Sequence, residues 1–260
     1  MTLRRGAVKT RKGAACPLPL PFRLRAPIPS RDAPGPDLRM TQRPAPVALV
    51  TGASRGLGAA LAEQLALRGW HVVAVARTVG GLEDLDDRVR AAGLPGAGAL
   101  TLAPMDVADA DAMRHLCRSV HDRWGGLGLW AHTAIHAAPL SPAGSLDARD
   151  WDKSVRINAS ATAALIPMIE PLLRAHGGTA VFPDDARAGQ KFFGAYGATK
   201  AAQMALVRSW QAETARTGPR VVIAAPAPMP TAVRARFFPG ENRAPLNDPR
   251  DEAARILDTL

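Results

Sequence analysis

Tyr196 and Lys200 stand four residues apart in Tyr196-Gly197-Ala198-Thr199-Lys200, and Tyr196 is the single tyrosine of the chain. On a helix that spacing puts phenol and ammonium on one face. A neighbouring ammonium favours phenolate and lowers the tyrosine pKa toward a working range, as general acid–base chemistry at a carbonyl requires. A second group is Thr51-Gly52-Ala53-Ser54-Arg55-Gly56-Leu57-Gly58. Gly52, Gly56 and Gly58 would let backbone amides approach a pyrophosphate, and the helix that follows would add its unpaired N–H groups and positive end. About twenty residues further on, where a carboxylate would hold a ribose 2′-hydroxyl, the chain reads Val75-Ala76-Arg77-Thr78. With no acid there, Arg77 and Arg55 are a candidate fork around a 2′-phosphate, which favours NADP over NAD.

Such groups need elements to position them. Val47-Ala48-Leu49-Val50 is a short apolar run suited to a strand buried on both faces. The glycine turn follows it and leads into an Ala- and Leu-rich helix ending near Arg68. Further strands are expected at 71–76, 99–104, 127–133, 179–183 and 220–225. Helices are expected at about 81–92, 109–124, 147–158, 160–176 and 195–217. This alternation predicts one doubly wound α/β domain, a parallel sheet of about six strands with helices on both faces, over residues 46–260. Tyr196 then begins the helix after the fifth strand, near the carboxyl edge where such sheets bind ligands.

The net charge of +10 carries little functional information. Residues 1–46 hold eight arginines and two lysines against two aspartates, and nine of the 23 prolines. Residues 1–45 are therefore expected to be a disordered basic leader, with Met40 as an alternative start. Only one aromatic residue, Phe22, lies among its arginines, so a nucleic-acid partner is not expected. No apolar run is long enough to span a membrane. Cys16 and Cys117 share no metal-ligand spacing, and their isolation points to a reducing, cytoplasmic compartment. His132 and His136 lie at a strand end and loop without helical i,i+4 geometry, so no metal site is expected.

Over residues 46–255 the chain resembles the short-chain dehydrogenase/reductase family. The resemblance rests on residues 51–58, on Asp106-Val107 after the third strand, on Asn158, and on Tyr196 with Lys200. It implies a Rossmann fold and hydride transfer between nicotinamide and a small carbonyl or alcohol substrate. Tyr196 would then be proton donor or acceptor, Lys200 would bind the nicotinamide ribose, Asn158 would hold a relay water, and Asp106 would contact adenine. Arg55 and Arg77 match NADP-type positions, Thr133 lies where the backbone passes the cofactor, and Thr231 matches a position that meets the nicotinamide amide. The resemblance also implies a homodimer through helices at about 160–176 and 195–217.

Departures from the family pattern are as informative. Where the family has a catalytic serine after the fifth strand, this chain reads Pro183-Asp184-Asp185-Ala186-Arg187. An ionised Asp185 or Asp184 would raise the tyrosine pKa and oppose Lys200. A protonated one could donate a hydrogen bond to the substrate oxygen, as in some oxyanion sites. Arg187 could instead neutralise the pair. A cofactor-binding protein with impaired catalysis and a regulatory or structural role is the alternative. The family's two amide side chains after the fourth strand are replaced by Ala131-His132, and the chain reaches Leu260 in a helical stretch where a seventh strand would follow. Phe192, Phe193, Phe237, Phe238 and Met229 are candidates for an apolar substrate pocket.

Overall fold

The structure, a computed structural model, describes residues 45–260. The reading of a leader at residues 1–45 and of Met40 as an alternative start falls, but for Ala45, outside the described residues. Six strands form one parallel sheet: β1 (Val47–Thr51), β2 (His71–Ala76), β3 (Leu100–Pro104), β4 (Leu129–His132), β5 (Thr179–Pro183) and β6 (Arg220–Ala224), in the order β3-β2-β1-β4-β5-β6. All five residues of β1 are buried. Val47 and Leu49 enter the core on one face of the sheet, and Ala48 and Val50 enter the core on the other. A strand covered on both sides has no reason to alternate apolar with polar, which is why its sequence reads as a continuous apolar run.

Each face has its own helical layer. On one side lie α3 (Ala110–Trp124), α5 (Ala161–Ala175) and α6 (Gly194–Thr214), through Met113, Cys117, Leu165, Ile169, Met204 and Trp210. On the other lie α1 (Gly56–Leu67), α2 (Val79–Ala91) and α8 (Pro249–Asp258), through Leu57, Leu61, Leu82, Leu85, Ile256 and Leu257. Helix α1 is apolar nearly all round because it is sandwiched. Its one buried charge, Glu63, is paired at 3.0 Å with both Arg88 of α2 and Arg250 of α8. Among the described residues no helix is long and apolar enough to cross a membrane.

The strand order turns at β1 and β4, so a crevice opens outside their carboxyl ends. Around it, α4 (Ala148–Ser154) runs through a π-helical turn (Val155–Ser160) into α5. The sequence predicts two separate helices there, 147–158 and 160–176. The structure corrects this to one continuous run, because no breaker separates them and the extra residue is absorbed as a wide turn. A short α7 (Ala232–Phe237) covers the mouth of the crevice.

Gly58 fixes how closely α1 meets the strands. A Cβ there would lie 2.2 Å from the Gly52 carbonyl oxygen and 2.3 Å from Thr133 Oγ1. The Gly58→Ala variant is expected to lose about 1–3 kcal/mol of stability, since backbone must move to admit the methyl. Urea unfolding of the two proteins checks this, and an unchanged midpoint would contradict the close approach.

Candidate active site

One cleft crosses the carboxyl ends of the strands, and the site residues expected from sequence converge on it. Gly52, Ser54, Arg55, Gly56, Leu57, Gly58, Arg77, Asp106, Val107, Thr133, Tyr196, Lys200, Thr231 and Asp185 all line it. Asn158 does not; it is fully buried behind the wall. Helix α1 starts at the cleft after Arg55, with no side-chain cap and no acidic residue in its first turn. Its first N–H groups and positive dipole end are therefore available to an anion. Arg55 and Arg77 are exposed at that end of the cleft. Thr133 Oγ1 donates to the Thr51 carbonyl at 2.8 Å, which ties the glycine turn to the end of β4. Asp106 accepts from Ala108 N at 3.0 Å and pairs with Arg156 at 3.3 Å. Thr231 caps α7 by accepting from Arg234 N at 3.3 Å. These residues fit a dinucleotide laid across the sheet.

At the centre of the cleft, Tyr196 is buried and donates its hydroxyl to Asp185 Oδ2 at 3.1 Å. The other oxygen of Asp185 lies 2.9 Å from Arg187 Nε. Asp184 points away and pairs with Arg208 at 3.1 Å. Of the alternatives open in the sequence, the structure shows the one in which Arg187 stands against Asp185. Burial pushes the Tyr196 hydroxyl well above its ordinary pKa, the Asp185 carboxylate pushes it further, and Arg187 opposes them. The expected lowering by Lys200 is thus corrected. The Lys200 ammonium turns from the phenol and donates to the Pro183 carbonyl at 2.6 Å and to Gln203 Oε1 at 2.7 Å. Burial pulls Lys200 down to about 8, against the pull of Asp184 and Asp185.

Loop and helix meet closely here because position 197 has no side chain. A Cβ on Gly197 would lie 2.6 Å from the Arg187 carbonyl oxygen. Phe193 packs inward against Phe237 and Tyr196, whereas Phe192, with φ of 71°, is exposed. The five candidates for an apolar pocket therefore separate: Phe237, Phe238 and Met229 line the cleft, Phe193 backs it, and Phe192 lies outside.

Behind the cleft runs a buried polar chain. Gln203 Nε2 donates to Thr162 Oγ1 at 2.8 Å, Thr162 Oγ1 meets His132 Nε2 at 3.1 Å, and His132 Nδ1 meets Thr51 Oγ1 at 2.7 Å. Asn158 braces this wall. Its Oδ1 accepts from His136 N at 2.7 Å, and its Nδ2 donates to His136 O at 3.0 Å and Thr199 Oγ1 at 2.9 Å. The π turn places this amide among those partners. The sequence reading singled out neither Gln203 nor Thr162, although the spacings Lys200–Gln203 and Asn158–Thr162 put each pair on one helix face.

With this geometry in place, comparison with known proteins is decisive. The family model for short chain dehydrogenases matches residues 46–242. The chain belongs to that family. It is 31% identical over 224 residues to an uncharacterised oxidoreductase of Mycobacterium tuberculosis, covering 82% of this chain and 63% of the relative. It is 28% identical over 226 residues to a glycine betaine reductase of Emericella nidulans, covering 82% of this chain and 17% of that protein. The chain thus spans less than two thirds of the length of these relatives. Among solved structures it is similar to a short chain dehydrogenase from Pseudomonas syringae, at 31% identity and a TM-score of 0.71, covering 79% and 85% of the two chains. It is also similar to a metagenomic short-chain oxidoreductase in complex with NADP, at 25% identity and a TM-score of 0.69, covering 82% and 89%. The six-stranded fold is that of the family, whose members are oxidoreductases that bind nicotinamide cofactors.

His132 supplies a prediction. Burial, aided by the Lys200 charge, pulls its imidazole down to about 3. A base lowered on folding is neutral in the folded chain and charged in the unfolded chain below about 6.5. Its contribution to stability is therefore full above that pH and drains as pH falls toward 3, by about 1.4 kcal/mol per pH unit. The His132→Asn variant is expected to lose less stability than the parent between pH 6.5 and 4.5, measured by denaturant midpoints. Parallel pH profiles would contradict a neutral buried imidazole.

Proposed function

We propose that the protein is an NADPH-dependent reductase of a carbonyl compound, with Tyr196 as proton donor. The observation that carries this is the buried Tyr196 hydroxyl held against Asp185 at 3.1 Å. A serine hydroxyl in that place could donate to the substrate oxygen, whereas Asp185 accepts from the phenol and stands against Arg187. Burial and the Asp185 carboxylate together keep the phenol protonated, and it can give its proton to an alkoxide forming on the substrate carbonyl. The phenolate left behind takes a proton back from solvent, whereas alcohol oxidation must form that same phenolate by losing a proton to solvent before it can act as base, which a raised pKa disfavours at neutral pH. When bound, a reduced nicotinamide supplies the hydride that the carbonyl carbon accepts.

The remaining residues hold and orient. In this reading Arg55 and Arg77 would take a 2′-phosphate, the α1 N-terminus the pyrophosphate, and Asp106 would meet adenine. Lys200, with its ammonium on Gln203 and the Pro183 carbonyl, would hold the nicotinamide ribose. Asn158 positions the wall behind the proton path. The NADP complexes among similar structures support this cofactor choice.

Three measurements test the proposal. NADPH is expected to bind about tenfold or more tighter than NADH by calorimetry, with Arg77→Ala removing most of the difference; equal affinities contradict the fork. Tyr196→Phe is expected to lower turnover by about 10²–10⁴ while leaving NADPH affinity within about threefold. The Asp185→Ser variant is expected to move the basic limb of alcohol oxidation down by about one pH unit or more. A chain that binds NADPH and turns over no carbonyl or alcohol would instead support the cofactor-binding alternative, for which the turned-away Lys200 speaks.

A further inference from the structure

Beyond Tyr196 the cleft ends in aromatic rings and guanidinium groups. Phe193 packs on Phe237 with ring centroids 4.9 Å apart, and Tyr196 on Phe237 at 4.8 Å. Phe238 closes the group, and two cations stand against its ring, Arg187 Cζ at 5.4 Å and Arg234 Cζ at 5.0 Å from its centroid. Both guanidinium groups line the cleft.

Each already has a carboxylate neighbour, and neither is used up by it. Arg234 forks onto Glu241 through Nε at 2.6 Å and Nη2 at 2.5 Å, which leaves its Nη1 free of hydrogen bonds among the described residues. Arg187 Nε lies 2.9 Å from Asp185 Oδ1, yet its N–H is not directed at that oxygen. The buried Nε therefore has no hydrogen-bond acceptor among the described residues, and only Nη1 of Arg187 makes one, to Gln190 Oε1 at 3.2 Å. A buried donor without an acceptor costs free energy that a ligand oxygen would recover.

Arg187 stands against Asp185 and Arg234 against Glu241, while Asp184 pairs with Arg208. Between apolar walls, the Coulomb pull of the two guanidinium groups on a further anion is less screened than in water. A cationic ligand would meet two guanidinium groups and an Asp185 whose two oxygens already face Tyr196 and Arg187. A ligand without an acceptor at this end would leave the idle guanidinium N–H groups unanswered.

We infer that the substrate is a carbonyl compound with an aromatic or similarly apolar body and a carboxylate, the carboxylate being held by Arg187 and Arg234. The inference rests on the reductase reading of the same site and names its substrate class. The rings take the body, and the planar guanidinium groups suit the two oxygens of a carboxylate.

Binding and turnover together test it on the full chain. With the protein saturated in NADP, calorimetric titration of phenylacetate against phenylacetamide is expected to give the acid about tenfold or more higher affinity. About 1 M salt is expected to weaken the acid and not the amide. With NADPH, kcat/KM for 4-carboxybenzaldehyde is expected to exceed that for benzaldehyde by a similar factor, and Arg234→Gln and Arg187→Gln each to shrink the ratio. Equal affinities for acid and amide, or no binding of either, overturn the inference, as does a benzaldehyde kcat/KM equal to or above that of its carboxylated analogue; the reductase reading survives wherever the aldehydes are reduced. Salt-sensitive binding of the acid without reduction of any aldehyde sinks the reductase reading and leaves the carboxylate site standing.

Discussion

The hydrogen bond from Tyr196 to Asp185, 3.1 Å long in a buried setting, governs the chemistry of this site. A phenol loses its proton readily only where its anion is solvated or faced by a cation. Here the phenol is buried among Phe193 and Phe237 and faces a carboxylate. Burial raises the Tyr196 pKa most, the carboxylate raises it further, and Arg187 opposes them. The contact depends in turn on Gly197, whose bare Cα lets the loop from Asp184 to Gln190 lie against the first turn of α6. One absent methyl thus lets the Asp185 loop lie against the helix that carries Tyr196.

Lys200 is tied to the opposite side of the same wall. Its ammonium enters a chain of buried polar groups that runs through Gln203, Thr162 and His132 to Thr51 at the end of β1. Each member satisfies a neighbour that would otherwise be a buried, unpaired group. His132 links β4 to α5 through Thr162. The chain joins the floor of the glycine turn to the base of α6, so the two ends of the cleft share one hydrogen-bonded support.

Much of the architecture was legible because it follows from periodicity. Buried parallel strands leave continuous apolar runs, and the glycine turn needs a strand before it and a helix after it. The join of α4 to α5 was not legible, because a π turn has no sequence signature distinct from a helix boundary near Asn158. The direction of Lys200 was hidden for a different reason. Spacing of four residues puts two side chains on one face without saying which partner a long, flexible one will choose, and the Gln203 amide and the Pro183 carbonyl outcompete the phenol. The choice of Arg187 among the alternatives for Asp185 needed the loop's fold, which Gly197 decides.

The most direct measurement of this account uses the single tyrosine of the chain. Tyrosinate absorbs in the near ultraviolet at longer wavelengths than tyrosine, so an alkaline spectrophotometric titration follows Tyr196 alone, with the Tyr196→Phe protein as blank. The account predicts no tyrosinate in the folded parent through the ordinary range of a free tyrosine near pH 10, and its appearance at lower pH in the Asp185→Ser variant. A parent protein whose Tyr196 ionises near or below that value, or a variant that titrates like the parent, would contradict it.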